Sequence, residues 1–175
     1  IIKAKDFFPQ VCLKRFRDVD FSACFRLLVL GYFLKSVVAD NLAEQTAWMT
    51  YPHFQRKSSI DLLFLLYGYS AQIFADFAGY SLIAIGLAKL FGYKLPENFN
   101  FPYVSSSICE FWRRWHISLS SWLRDYLYIP LGGSKHGVVR TYANLMIVMF
   151  LGGLWHGAAW SFAFWGLWHG LGLVL

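Results

Sequence analysis

Two histidines, His156 and His116, have the residue type and the surroundings for proton-transfer chemistry. His156 lies in a stretch, 141–175, that contains no Asp, Glu, Lys or Arg. An ionisable side chain inside an apolar membrane segment is costly, so its presence indicates function. An imidazole, whose ordinary pKa is about 6.5, suits general acid–base work near neutral pH. The alternative is a histidine that bonds a neighbouring carbonyl group and only holds helices together.

His116 lies three residues after Arg113 and four residues before Ser120. If residues 108–124 form one helix, each of these neighbours is one turn away, and all three side chains share a face. That arrangement predicts a polar wall that faces a substrate channel close to His156. The alternative is an interfacial histidine that lies among lipid headgroups.

The other histidines have more ordinary settings. His169 follows His156 by 13 residues, which is roughly 220° around a continuous helix, so the two would not share a face. We therefore expect His169 to make a structural contact between helices. His53 and His136 lie in polar loops, where we expect them to be exposed to solvent.

Asp76 is the only acidic residue between Asp61 and Glu97, and apolar residues surround it. An isolated carboxylate in such a segment is expensive, so it needs a partner. Two interpretations remain open. Asp76 pairs with a basic residue or a hydroxyl group for packing, or it lies in a reaction chamber and contacts substrate.

No motif for covalent catalysis or metal binding accompanies these residues. The patterns G-x-S-x-G, G-x-x-x-x-G-K-[ST] and H-E-x-x-H do not occur. The three cysteines, Cys12, Cys24 and Cys109, lack the spacing of metal ligands. We therefore expect no bound cofactor and no metal, and we expect the histidines to move protons during a direct group transfer.

The composition places these residues in a membrane protein. Of the 175 residues, 57% are hydrophobic and 15% are charged, against about 25% charged in a typical soluble domain. So apolar a chain is not intrinsically disordered. The net charge of +6 comes from short basic groups between apolar runs, which is typical of loops that flank a membrane. Membrane lipid is therefore an expected partner and nucleic acid is not.

The pattern predicts an all-α, polytopic integral membrane protein, with 1–175 as a single membrane domain excerpted from a longer chain. A capping box at Ser107 and Glu110 should begin a helix that is too polar to span and lies in the interface or re-enters the membrane. Glycines at 152, 153 and 157 should break the backbone beside His156 and line a cavity. The predicted membrane-embedded segments are 21–39, 60–77 with a shorter piece at 79–92, 139–152 and 158–175, and the interfacial helix is 108–124.

Four stretches within residues 74–170 resemble the membrane-bound O-acyltransferase (MBOAT) family. They fit best its bacterial branch of alginate and peptidoglycan O-acetylation proteins, and the teichoic acid D-alanyl transfer protein is more distant. Their order and spacing fit as well. The stretches are FADFAGYSLIAIGLAKLFG, LPENFNFPY, FWRRWHISLSSWLRDYLYIPLGG and GGLWHGAAWSFAFWGLWHG.

The resemblance implies a multi-helix enzyme with a central cavity in the bacterial inner membrane. His156 matches the active-site histidine of the family, and His116 matches a second family histidine. The implied reaction moves an acyl group, acetyl in this branch, from a cytoplasmic thioester such as acetyl-CoA toward a hydroxyl of an extracytoplasmic polysaccharide. A periplasmic or extracellular acetyltransferase is an expected partner protein.

Each residue then has an expected role. His156 would act as the general base, His116 would orient the donor or assist the proton path, and Arg113 and Arg114 would attract the phosphates of coenzyme A. Anchoring to anionic headgroups is the simpler role for these two arginines.

A non-enzymatic transport or channel subunit would also show broken helices and basic loops. A purely structural membrane scaffold is the third class.

Overall fold

The computed structural model describes residues 1–175, and its secondary structure consists of helices joined by loops, which confirms the all-α prediction. The chain forms two compact units. One unit consists of Ala4–Leu95, and the other consists of Ile1–Lys3 with Pro96–Leu175. Three helical stretches are long and apolar enough to cross a membrane: Phe21–Met49, Ser59–Leu90 and Val138–His156.

The unit of residues Ala4–Leu95 is built on two long helices. Helix α1 covers Phe21–Met49, and it passes through a π-helical section at Phe33–Ala39 and ends in a short 3₁₀ turn at Ala47–Met49. The side chain of Asp20 caps its first turn by accepting a hydrogen bond from the Ala23 N–H at 2.9 Å. Because α1 ends at Met49, it continues ten residues beyond the predicted segment 21–39.

Helix α2 covers Ser59–Leu90 without interruption, so the prediction of two segments at 60–77 and 79–92 is wrong. Two residues near the predicted boundary have packing partners on α1. Asp76 forms an ion pair with Lys35. Gly79 lies against the α1 backbone, because a Cβ atom there would be 2.7 Å from the Gly31 carbonyl oxygen.

In the other unit, two short helices replace the predicted single helix over 108–124. Helix α3 covers Ile108–Arg114 and helix α4 covers Ile117–Leu123, followed by a π-helical turn at Arg124–Tyr128. The Ser107 cap is confirmed, since its hydroxyl accepts a bond from the Glu110 N–H at 3.1 Å.

Glu110 completes the cap in a different way from the predicted box. Its carboxylate accepts a bond from the backbone N–H of Ser106 at 2.9 Å rather than from Ser107. The pKa of Glu110 is held below its ordinary value, mainly by the two hydrogen bonds from the Ser106 N–H and hydroxyl. The Arg114 guanidinium adds to this effect.

Helices α5 and α6 complete this unit, with α5 at Val138–His156 and α6 at Trp160–Val174. The expected break is displaced, because Gly152 and Gly153 lie inside α5 and the helix ends only at His156. Close packing explains the glycines: a Cβ atom on Gly153 would lie 2.2 Å from the carbonyl oxygen of Phe162. At 15 residues α6 is roughly 22 Å long, so its membrane embedding stays a prediction.

Asn144 of α5 fixes the turn that precedes this helix. Its side chain is 1% exposed and donates hydrogen bonds to the carbonyl oxygens of Leu131 at 3.2 Å and Gly133 at 2.8 Å. The Pro-Leu-Gly-Gly turn is thereby attached to the helix that carries His156.

Candidate functional site

His156 is the last residue of α5, so its ring projects from the end of the helix into an aromatic environment. The ring centroid lies 5.1 Å from that of Trp155, 5.3 Å from Trp165 and 6.2 Å from Phe162. Trp165 and Phe162 belong to α6, which the glycine contact holds against α5. The close crossing of the two helices therefore places aromatic rings on either side of the histidine.

His116 lies in the break between α3 and α4, where it is 6% exposed. Its φ angle is +42°, in the left-handed region that non-glycine residues seldom adopt. The His116 ring lies 6.0 Å from the ring of Trp155, which also contacts His156. The structure therefore brings the two predicted histidines to the same tryptophan, although they are 40 residues apart in sequence.

Burial determines the charge state of His116. It is the main cause that lowers the pKa of this imidazole to about 4. His116 is therefore neutral at neutral pH. A neutral imidazole has one nitrogen that donates a hydrogen bond and one that accepts.

A cavity of about 280 Å³ runs along the α5 surface that ends at His156. This volume is close to the lower end of the about 300–1,000 Å³ that is typical of small-molecule sites. Its polar lining includes Arg113, Ser120, Arg124, Tyr128 and His156. Much of the remaining wall is apolar or aromatic and includes Trp112, Leu119, Leu123, Met149 and Trp165.

Arg113 and Ser120 line the same cavity as His156, but His116, which the sequence predicted on the same wall, and Arg114 do not. Arg114 forms an ion pair with Glu110 at 2.7 Å and donates to the Asn100 carbonyl oxygen at 3.2 Å. Both contacts belong to the end of α3 and to the loop before it. The second arginine at the cavity is Arg124, which follows Ser120 by one helical turn.

Arg124 lies where α4 passes into its π-helical turn. Its Nε atom donates to Asp125 at 2.8 Å. Hydrogen bonds from Lys3, then from Arg124, hold the pKa of Asp125 down to about 2. A permanently charged carboxylate therefore accompanies this arginine.

His169 makes the predicted contact between helices. Its ring lies 5.2 Å from Trp112 of α3 and 4.5 Å from Trp165 of its own helix. Trp165 therefore has His156 on one side and His169 on the other, which the assumption of one continuous helix did not suggest. The indole N–H of Trp112 is buried and has no hydrogen-bond partner.

Asp76 belongs to the unit of residues Ala4–Leu95, where it pairs with Lys35 of α1. The packing interpretation of this residue is therefore supported by a basic partner. His53 and His136 are exposed, as expected. No group of three or more His, Cys, Asp or Glu side chains is arranged to hold a metal ion.

Residues 10–175 match the sequence model of the MBOAT, membrane-bound O-acyltransferase family. The chain therefore belongs to this family of membrane proteins.

Its relatives place it in the alginate and peptidoglycan branch. It is 61% identical over 107 residues to the probable alginate O-acetylase AlgI of Azotobacter vinelandii, covering 61% of this chain and 21% of that protein. It is 43% identical over 178 residues to the probable alginate O-acetylase AlgI of Pseudomonas putida, covering 100% of this chain and 36% of that protein. The peptidoglycan O-acetyltransferase of Helicobacter pylori is 46% identical over 147 residues, with 82% and 27% covered. The chain thus spans about a fifth to a third of the length of these relatives.

Proposed function

We propose that the protein containing this chain transfers an acetyl group from a cytoplasmic thioester to a hydroxyl group on the extracytoplasmic side of a bacterial inner membrane. The final acceptor is a cell-surface polysaccharide, reached by way of an extracytoplasmic acetyltransferase partner. Family membership and the names of the relatives, which specify O-acetylation of alginate or peptidoglycan, support this proposal.

The observation that carries the proposal is the position of His156. It ends α5 at a cavity whose other polar side chains include two arginines, a serine and a tyrosine. The wall around it is apolar and aromatic, so charge–dipole interactions there are less screened than in water. Such a cavity suits a small neutral acyl group attached to an anionic carrier.

In the proposed reaction, the Nε2 or Nδ1 atom of neutral His156 removes the proton of the acceptor hydroxyl. The hydroxyl oxygen attacks the thioester carbonyl carbon, a C–O bond forms, and the C–S bond breaks. The sulfur leaves with its electron pair and takes the proton back from the imidazolium. The products are an O-acetyl ester and a free thiol, and no oxidant or metal is needed.

Three other cavity residues and His116, which lies outside the cavity lining, have supporting roles in this proposal. Arg113 and Arg124 attract the phosphates of the thioester carrier, because guanidinium groups match phosphate geometry. Ser120 offers a hydroxyl group as a hydrogen-bond partner. Neutral His116, close to the same tryptophan as His156, orients the donor through a hydrogen bond.

The test uses the full-length protein in proteoliposomes, with acetyl-CoA as the donor and thiol release as the signal. His156→Gln keeps hydrogen-bonding capacity but cannot exchange a proton near neutral pH. We expect the rate to fall by about 10²–10⁴-fold, which is the usual contribution of a general base. His53→Gln is the matched control, because His53 is exposed and is expected to leave turnover unchanged.

Two results would contradict the proposal. Normal turnover by the His156→Gln variant would make this histidine structural. A wild-type protein that binds acetyl-CoA but never releases thiol would instead favour the transport or channel interpretation.

A further inference from the structure

The break between α3 and α4 leaves backbone groups that a continuous helix would have paired. In such a helix the Ile117 N–H would bond to the Arg113 carbonyl oxygen, four residues earlier. Here the Ile117 N–H donates instead to the carbonyl oxygen of Asn98 at 3.0 Å. The carbonyl oxygen of Arg114 accepts a bond from the Asn100 N–H, also at 3.0 Å. A loop from earlier in the chain therefore replaces helical hydrogen bonds on both sides of the break.

The side chain of Asn98 adds a second attachment. Its Oδ1 atom accepts hydrogen bonds from the Ser118 hydroxyl at 2.6 Å and from the Ser118 N–H at 3.4 Å. Ser118 is buried, at 3% exposure. Asn98 therefore holds both residues that follow His116, one through its backbone and the other through its side chain.

His116 is the residue that this arrangement fixes. A non-glycine residue in the left-handed region persists only where its surroundings determine its conformation, and such residues cluster at functional sites. The hydrogen bonds of Asn98 with Ile117 and Ser118 hold the backbone at His116, whose φ angle is +42°. The left-handed turn in turn sets the direction in which the imidazole leaves the backbone.

We infer that Asn98 is a positioning residue, which acts on the reaction by holding His116 toward Trp155 and His156. This inference rests on the proposed function of the two histidines. Without the Asn98 side chain, the Ser118 hydroxyl and N–H lose their acceptor. The left-handed turn is then held only by the backbone hydrogen bonds of residues 98 and 100, so the position of His116 is less fixed. The His116 ring would rotate away from Trp155.

The test compares Asn98→Ala with Asn98→Asp in the full-length protein in proteoliposomes, with acetyl-CoA as the donor. The aspartate variant keeps an acceptor oxygen for Ser118, and the alanine variant does not. We expect Asn98→Ala to lower kcat by about 10–100-fold, since small misplacements of a reacting group have effects of this size. KM should change little, and Asn98→Asp should restore most of kcat.

Gln10→Ala is a matched control in the other unit. The Gln10 amide also joins two backbone segments, since it accepts from the Lys94 N–H at 2.7 Å and donates to the Lys94 carbonyl oxygen at 3.1 Å. Its removal deletes a comparable side-chain attachment that has no link to His116. We expect kcat to stay at the wild-type value.

A double-mutant cycle separates positioning from general damage. In a His116→Ala background, Asn98→Ala should lower kcat no further, because Asn98 acts through the missing imidazole. An equal loss in both backgrounds, an unchanged kcat in Asn98→Ala, or a failure of Asn98→Asp to restore activity would overturn the inference.

Labelling with a maleimide gives a readout that needs no catalysis. In a background without native cysteines, His116→Cys should be protected, as the burial of His116 indicates. Adding Asn98→Ala should expose this cysteine, and adding Asn98→Asp should not. Protection in all three variants would overturn the inference. If the wild-type protein releases no thiol from acetyl-CoA, the proposed function fails, and the labelling result still decides the role of Asn98.

Discussion

Each unit contains one place where two helices cross with glycine against glycine. In the unit of residues Ala4–Leu95, Gly31 of α1 meets Gly79 of α2, and a Cβ atom on either would lie 2.9 or 2.7 Å from the other's carbonyl oxygen. In the other unit, Gly153 of α5 meets Gly166 of α6, where a Cβ on Gly166 would lie 2.3 Å from the Met149 oxygen. Small residues let helix backbones approach closely in membranes, where packing rather than hydrophobicity drives association.

The two crossings differ in the polar groups beside them. One turn from Gly31 and Gly79, Lys35 and Asp76 neutralise each other across the helix pair. Three residues beyond Gly153, His156 ends its helix at a cavity and has aromatic neighbours. A charged pair that satisfies itself stabilises a crossing, whereas a lone titratable group at a cavity remains available for chemistry. The first crossing therefore stabilises its unit, and the second serves the proposed reaction.

The largest expected effect comes from adding one methyl group at the tighter crossing. Gly153→Ala places a Cβ atom 2.2 Å from a backbone oxygen, so the helices must separate. We expect Gly153→Ala to lower the free energy of unfolding by at least the about 1–3 kcal/mol that overpacking usually costs. Gly79→Ala, whose Cβ would meet backbone at 2.7 Å, should have a similar but smaller effect. The measurement is the fraction of protein that stays monodisperse in detergent after heating.

Gly152→Ala is the matched control for that experiment. It lies in the same helix and gains the same helix propensity of about 1 kcal/mol, but its Cβ meets only the flexible Leu123 side chain at 3.2 Å. We expect near wild-type stability. Equal stability of Gly152→Ala and Gly153→Ala would show that the crossing is looser than the structure has it.

The next effect concerns the ion pair of the first crossing. Asp76→Leu leaves Lys35 without its partner, and a lone lysine near the membrane centre costs about 2.5–3.5 kcal/mol on insertion scales. The double variant Lys35→Met with Asp76→Leu removes both charges and should recover much of the folded yield. Folded yield and thiol release per folded molecule are the two measurements.

The activity of the double variant tests the division between the crossings. If Asp76 serves only packing, each folded molecule should consume acetyl-CoA at the wild-type rate. A well-folded double variant without activity would favour the other interpretation, in which Asp76 lies in a reaction chamber and contacts substrate.

Features that depend on residues close in sequence were predicted correctly, whereas features that depend on distant residues were missed. The Ser107 cap and the helices at the apolar segments depend on neighbours within a few residues, and the structure has the cap and a helix at each segment. The continuity of α2 depends on Gly31 and Lys35, which lie more than 40 residues before their partners.

The break at His116 was missed for the same reason. Local periodicity favours one helix over 108–124, and the hydrogen bonds that replace it come from Asn98 and Asn100. Arg124 follows Ser120 at helical spacing, so the sequence alone places it on the same face. Resemblance to a family matched the histidines by residue type but carried no information on these backbone contacts.

A smaller effect is the pH dependence of stability. Burial lowers the pKa of His116 to about 4 in the folded state, against about 6.5 when it is exposed on unfolding. Between these values the unfolded state binds more protons, so stability is full above pH 6.5 and falls as the pH drops toward 4, by up to about 1.4 kcal/mol per unit. His116→Asn, which tolerates the left-handed turn, should flatten this part of the profile. Melting in detergent at pH 5 and pH 7 measures the difference, and parallel profiles would show that His116 is solvated.

The smallest expected effect is on the choice of acyl group. Gly152 lies one helical turn before His156 and lines the same cavity, so Gly152→Ala adds a methyl group beside the proposed acyl site without disturbing the crossing. We expect turnover with acetyl-CoA to fall by less than about tenfold, and turnover with butyryl-CoA to fall further, since one methylene in an apolar pocket is worth about 1–3 kcal/mol. Leu123→Ala removes the side chain that faces this position and should shift the preference toward butyryl-CoA. If neither variant changes the ratio of the two rates, the acyl group does not lie over Gly152, and the second crossing would serve the reaction only by placing His156.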